Sequence, residues 1–190
     1  MNRNHDRLCS SDRWARYIGD KVVDPISARV RLGKRMLEIG PGPGAATARL
    51  RQLVPRLTVL ETDERAAAAL TERFRGENVE VHQGDATTME FSDAAFDSVG
   101  AFTMLHHVPS VRMQDQILFQ VFRVLRPGGV FVGSDSLAAT ALHDFHRGDV
   151  YNPVEPASFF TRLRTAGFDS ISIEADDELV FVARKPKKGR

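Results

Sequence analysis

Met36-Leu37-Glu38-Ile39-Gly40-Pro41-Gly42-Pro43-Gly44 is the stretch that decides the fold. A short apolar run ends in three glycines at alternate positions, and a helical pattern follows over residues 45–54. This predicts a strand, a tight loop and a helix N-terminus. Without Cβ atoms the loop backbone can approach a ligand closely. The helix start adds unpaired N–H donors and positive partial charge. A polar, nucleotide-like guest is the expectation. Gly40, Gly42 and Ala45 also satisfy the loose dinucleotide fingerprint, so the loop calls for a nucleoside ligand and leaves open which one.

Outward from this stretch the pattern alternates. Strands are expected at 35–39, 57–60, 79–82, 96–102 and 130–133. Helices are expected at 45–53, 64–75 and 110–125, and from Pro156 to Gly167, Pro being favoured in a first turn. A closing hairpin, 171–174 with 179–183, surrounds Asp176-Asp177. Strands alternating with helices mean a mostly parallel sheet covered on both faces. The fold class is therefore α/β, a Rossmann-like doubly wound sheet of seven strands with an antiparallel C-terminal strand. Such sheets bind ligands beyond the carboxyl ends of their strands, where strand order reverses. Residues 1–11 are polar and read as loose. A helix is expected from Asp12, capped by Ser11 or Asp12, with Trp14, Tyr17, Ile18 and Val22 at helical spacing. The basic end from Arg184 reads as a disordered tail. The organisation is one domain over 1–190, with a helical cap (1–33), a core (34–184) and the tail.

Composition limits the function. The 190 residues are 42% hydrophobic, which suits one domain with a full core. A net charge of +1 sets up no strong field toward nucleic acid or anionic membrane. Cys9 is the only cysteine, so no internal disulfide can form and a cytoplasmic setting is expected. No apolar run approaches the ~20 residues of a membrane span, and the first residues lack a signal-peptide core.

Four features fall at strand carboxyl ends. After the glycine loop comes Glu61, where a carboxylate can accept from both ribose hydroxyls. Asp85 could accept from an adenine amino group, and the Ala86 N–H could bond a ring nitrogen; Gly84-Asp85 is also a common turn pair. Phe102-Thr103-Met104-Leu105-His106-His107 should face the reacting end of the ligand. Taken in order, these features resemble the class I S-adenosylmethionine-dependent methyltransferases, over residues 36–184. Leu105-His106-His107-Val108 and Arg123-Val124-Leu125-Arg126-Pro127-Gly128-Gly129 are similar to the branch that includes ubiquinone and menaquinone C-methyltransferases.

The resemblance implies S-adenosylmethionine as cofactor. It also implies roles: Glu38 orients the loop and reaches the cofactor amino group, and Gly40, Gly42 and Gly44 pass beside the methionine part and ribose. Thr62 neighbours the adenosine, Phe102 gives backbone contact to the methionine part, and Asp63 is more simply a helix cap. Methyl transfer is in-line displacement, where alignment supplies much of the rate and a general base is optional. His106, His107 and Asp135, with Ser136 beside it, are the base candidates; the first His of such a pair can instead orient its loop.

Several acceptors are disfavoured by comparison with known families. Adenine or glutamine methylation carries Asn/Asp-Pro-Pro-Tyr/Phe where this chain has Phe102-Thr103-Met104-Leu105. Cytosine C5 methylation uses a Pro-Cys nucleophile, and Cys9 lies far upstream. Metal-dependent catechol methylation uses acids after strand four, and none occurs between Gly100 and Ser110. Trp14 and Tyr17 belong to packing on the sheet or to a lid. His143-Asp144-Phe145-His146 invites a metal reading, but a surface or substrate-lid role for His143 and His146 is preferred and no metal is expected. The expected activity is methyl transfer to a small organic acceptor, with no nucleic-acid partner. Alternatives are a phospholipid or protein methyltransferase, a non-catalytic cofactor binder, or an NAD enzyme.

Overall fold

Alternate residues of the first strand serve two different cores. Met36 joins one and Leu37 and Ile39 the other, as a period of two requires of a strand buried on both faces. The computed structural model describes residues 3–187. Its strands are β1 (Arg35–Ile39), β2 (Arg56–Glu61), β3 (Val79–Gln83), β4 (Phe96–Phe102), β5 (Leu125–Asp135), β6 (Asp169–Ala175) and β7 (Leu179–Arg184). They form one sheet in the order β3-β2-β1-β4-β5-β7-β6, parallel from β3 to β5, with β7 antiparallel to both its neighbours. Strand order reverses between β1 and β4, beside the glycine loop.

The helices are α1 (Arg3–Cys9), α2 (Asp12–Tyr17), α3 (Asp24–Arg29), α4 (Ala45–Leu50), α5 (Glu64–Arg73), α6 (Val111–Val124), α7 (Thr140–Phe145) and α8 (Pro156–Ala166), with a π-helical stretch, Ile18–Val23, between α2 and α3. Side chains from α6 and α8 fill one core, with Ile117, Leu118, Val121, Phe159 and Leu163. The π-helical stretch, α3 and α4 fill the other, with Ile18, Val22, Ile26, Ala46 and Leu50. No described helix is long and apolar enough to cross a membrane.

Three sequence expectations need correction. Residues 1–11 were expected to be loose, yet α1 forms over Arg3–Cys9. The buried His5 ring, packed on other rings, holds it in place of an apolar stripe. Met1 and Asn2 lie outside the described residues. β5 begins at Leu125, before Pro127-Gly128-Gly129, because Leu125 takes an extended conformation and pairs with Phe96. The tail is ordered at Lys185. Its amide donates to the Gly129 carbonyl at 2.9 Å, and its Nζ donates to the carbonyls of Phe122 and Leu125 at 2.7 and 2.8 Å, closing the C-terminal end of α6. The last three residues lie outside the described range.

Candidate active site

The glycine loop leaves β1 through three left-handed residues, Gly40 (φ +62°), Gly42 (φ +53°) and Gly44 (φ +84°). Their surroundings differ. A Cβ on Gly44 would meet Leu70 and Phe74 of the α5 region at 2.9–3.0 Å, so this glycine serves helix packing. A Cβ on Gly40 would meet the Met104 side chain at 2.9 Å, so the loops after β1 and β4 touch there. At Gly42 a Cβ would meet nothing within 4 Å. The middle of the loop opens on free space.

Two buried carboxylates stand behind that opening. Glu61 ends β2; its Oε2 accepts the Gly42 N–H at 3.1 Å and its Oε1 the Asp63 N–H at 3.0 Å. Glu38, fully inside, accepts the Thr47 hydroxyl at 2.7 Å, which ties β1 to α4. Burial raises the Glu38 carboxyl to about 7; Thr47 opposes the rise and Glu61 adds to it. Asp85 Oδ1 accepts the Thr87 N–H at 2.7 Å and caps the 3-10 turn Ala86–Thr88, with Ala86 packed on the core. Thr62 is exposed, and its carbonyl accepts from the Gln83 amide. Asp63 caps α5 through the Ala66 N–H.

The β4 side is built around strain and clamps. Phe102 is buried in the second core, and Thr103 after it adopts φ +52°. That is an outlying conformation for a β-branched residue, kept because its N–H bonds the Ser134 carbonyl at 2.8 Å. The 3-10 turn Leu105–His107 follows. The Gln114 side-chain amide donates to the Leu105 carbonyl, and the Asn152 backbone N–H to the His106 carbonyl. His106 Nδ1 lies 2.5 Å from Asp135 Oδ1, which also accepts the Ser136 N–H at 2.7 Å. A carboxylate serving as acceptor makes His106 the donor at Nδ1. Its Nε2 is then a buried lone pair with no hydrogen-bond partner.

Around this turn four imidazoles pack together. His107 lies 4.0 Å from His106, 4.9 Å from His5 and 5.3 Å from His146 between ring centroids. Burial, then the neighbouring His106 and His5, lowers the His107 pKa to about 3. Burial likewise lowers His5 and His146. His143 is exposed and lies outside this group, its ring 6.3 Å from that of Tyr151. Trp14 and Tyr17 stack at 5.5 Å. Trp14 packs on the second core, while burial, then the neighbouring Glu178 and Asp177 of the β6–β7 turn, raise the Tyr17 phenol pKa. The structure thus joins Glu38, Glu61 and the loop in one group, and His106 with Asp135 in another. It also draws His107 and His146 into a cluster with His106 and with His5, which sequence reading missed; a lone His in a polar segment gives no signal.

A family model described as a methyltransferase domain matches residues 37–133. A Mycolicibacterium smegmatis protein named a probable S-adenosylmethionine-dependent methyltransferase is 30% identical over 169 residues, 85% of this chain and 62% of that one. Ribosomal RNA small subunit methyltransferase A of Pseudomonas fluorescens is 40% identical over 74 residues, 38% of this chain and 26% of its own length. The chain therefore spans less than two thirds of the length of these curated relatives. Among solved structures, an S-adenosylmethionine-dependent methyltransferase from Methanosarcina mazei superposes with a TM-score of 0.75 at 16% identity, covering 88% of this chain and 99% of that one. At that identity the likeness is one of fold.

Proposed function

Because the chain belongs to the class I S-adenosylmethionine-dependent methyltransferases, we propose that residues 1–190 act as one domain, in the cytoplasm, transferring a methyl group to a small organic acceptor. The cofactor supplies a methyl group already activated on a sulfonium. The residues suit such a guest: a glycine that opens on free space stands beside two buried carboxylates, and the guest is cationic and carries hydroxyls. In this reading Gly40, Gly42 and Gly44 carry the backbone past it. Glu61 has lone pairs beyond those given to Gly42 and Asp63, and takes the ribose. Glu38 favours the positive end, Thr62, Asp85 and Ala86 flank the adenosine, and the Phe102 backbone borders the methionine part.

The single observation that carries the acceptor side is the orphaned Nε2 of His106. Asp135 fixes the ring through Nδ1. His106 receives at Nε2 the proton that an acceptor hydroxyl or amine gives up, and Asp135 balances the imidazolium that results. Trp14 and Tyr17, with His107, His143 and His146, cover this side. The aromatic character of the cover and the modest net charge support a phenol, quinone-like ring or acid over a polyanion. The similarity of the His106-His107 segment to quinone methyltransferases points the same way.

The test uses S-adenosylmethionine labelled in the methyl group, offered a small-molecule extract, total RNA and phospholipid vesicles in parallel, with titration calorimetry for cofactor binding. Label is expected in the small-molecule fraction. Glu61→Ala should weaken cofactor binding at least about tenfold through the lost paired contacts. His106→Gln should lower transfer with cofactor affinity unchanged. Label in RNA or lipid would refute the acceptor class, and failure of both binding and transfer would refute the enzyme.

A further inference from the structure

Three imidazoles from separate parts of the chain converge beside the turn that follows β4. His5 comes from α1, His107 ends the 3-10 turn, and His146 directly follows α7. One ring nitrogen of each lies within 4.8 Å of those of the other two. His5 and His146 are buried, at 4% and 3% exposure, and His107 is half-buried.

The supporting contacts share one pattern. His5 Nδ1 is 3.2 Å from Asp149 Oδ2, His107 Nδ1 is 3.3 Å from the Val150 carbonyl, and His146 Nδ1 is 2.7 Å from the Leu142 carbonyl. An imidazole that gives its Nδ1 proton to an oxygen keeps a lone pair on Nε2. A carboxylate or carbonyl behind each ring is the arrangement that orients histidines toward a metal and raises their basicity. His146 Nε2 is buried with no hydrogen-bond partner. Ring packing explains the stack of His146 on Tyr151, 4.5 Å apart and 16° from parallel. It gives no reason to seal a lone pair among other imidazoles, and a cation held there would offset the cost.

We propose that His5, His107 and His146 bind one divalent transition-metal ion of the zinc class. Three neutral imidazoles suit zinc and cobalt, whose ~2.0 Å bonds in tetrahedral geometry set ligand nitrogens about 3.3 Å apart. The three ring nitrogens, within 4.8 Å of one another, would draw together to that spacing around the ion. Asp149 is the carboxylate behind His5, and the exposed His143 takes no part. The ion fastens α1, which lacks an apolar stripe, to the loops after β4 and β5. Three protein ligands leave a coordination position open. The site is distinct from the glycine loop and does not depend on the methyl-transfer reading.

The test is equilibrium dialysis of the full-length, tag-free protein against cobalt(II) and zinc(II), with metal analysis and visible absorption of the cobalt form. About one equivalent is expected, with ligand-field bands of a low-coordinate nitrogen site. His5→Ala and His146→Ala should each weaken binding at least about tenfold, and Asp149→Asn about tenfold. His143→Ala and His82→Ala should bind as the parent does. Circular dichroism and cofactor titration check that each variant folds. Should an alanine variant not fold, His146→Gln replaces it and the parent stoichiometry still decides. Less than about a fifth of an equivalent on the parent, or parent-like binding by folded His5 and His146 variants, would overturn the site.

Discussion

Asp135 Oδ1 and His106 Nδ1 stand 2.5 Å apart across the ends of β5 and β4, with side chains 0% and 3% exposed. Each is the other's main side-chain partner in a fully buried place. Removing one member leaves the other's polar group stranded, which costs on the order of 3 kcal/mol. His106→Ala should lose about that much in urea unfolding. Asp135→Asn, which keeps an acceptor oxygen, should lose about 1–2 kcal/mol. The double variant should lose clearly less than the sum. Strictly additive losses would show that the two groups do not act as a pair.

Glu38 gives the stability curve a direction. Its folded carboxyl sits at about 7 against an ordinary 4.5, so the folded chain holds a proton that the unfolded chain releases. The stabilisation this gives is complete below the unfolded value and fades as pH rises through about 7, where it levels off. Glu38→Gln should remove that decline. Relative to the parent, the variant should gain on the order of 3 kcal/mol between about pH 5 and about pH 8. Urea melts across that range test it, and parallel curves for the two proteins would reject it.

The loop glycines should separate folding from binding. Ala at Gly42 bears only the left-handed backbone strain, about 1–2 kcal/mol, because its methyl meets open space. The same change at Gly44 adds contacts of 2.9–3.0 Å with Leu70 and Phe74 and should cost about 1 kcal/mol or more beyond that. Cofactor titration should rank them the other way, with Gly42→Ala the weaker binder. Equal stability losses would contradict the difference in surroundings.

Lys185→Met should destabilise by about 1–3 kcal/mol in thermal or denaturant melts. It strips the Phe122 and Leu125 carbonyls of a donor at the helix end and removes a cation 4.6 Å from the Phe122 ring. Lys187→Met should be silent by comparison. If the two behaved alike, Lys185 would have no structural role.

The central strands were legible because burial on both faces writes a mostly apolar run, as in Arg35–Ile39, interrupted at Glu38, and Phe96–Phe102, interrupted at Asp97 and Ser98. Glycine spacing and an acid at the next strand end likewise made neighbours of Gly42 and Glu61. The histidines were harder. His106 and Asp135 were both visible, but their pairing depends on β4 and β5 lying side by side. His5 and Lys185 were hidden by their company, since polar and basic runs read as solvated ends. Each is fixed by partners distant in sequence, His5 by Asp149 and Lys185 by the end of α6. The early start of β5 was masked by Pro127-Gly128-Gly129, which locally resembles a stop.

The strand order has a consequence for how the chain is made. β7 lies between β5 and β6, so the last strand in sequence is an interior strand of the sheet. Until residue 184 has emerged, the edge of β5 that β7 will cover shows a row of unpaired amides and carbonyls to the surroundings. The half that holds the glycine loop, β1 to β3, can close long before. A nascent or truncated chain would thus carry a formed cofactor cradle beside an adhesive edge, and its risk of mispairing ends only when β7 docks.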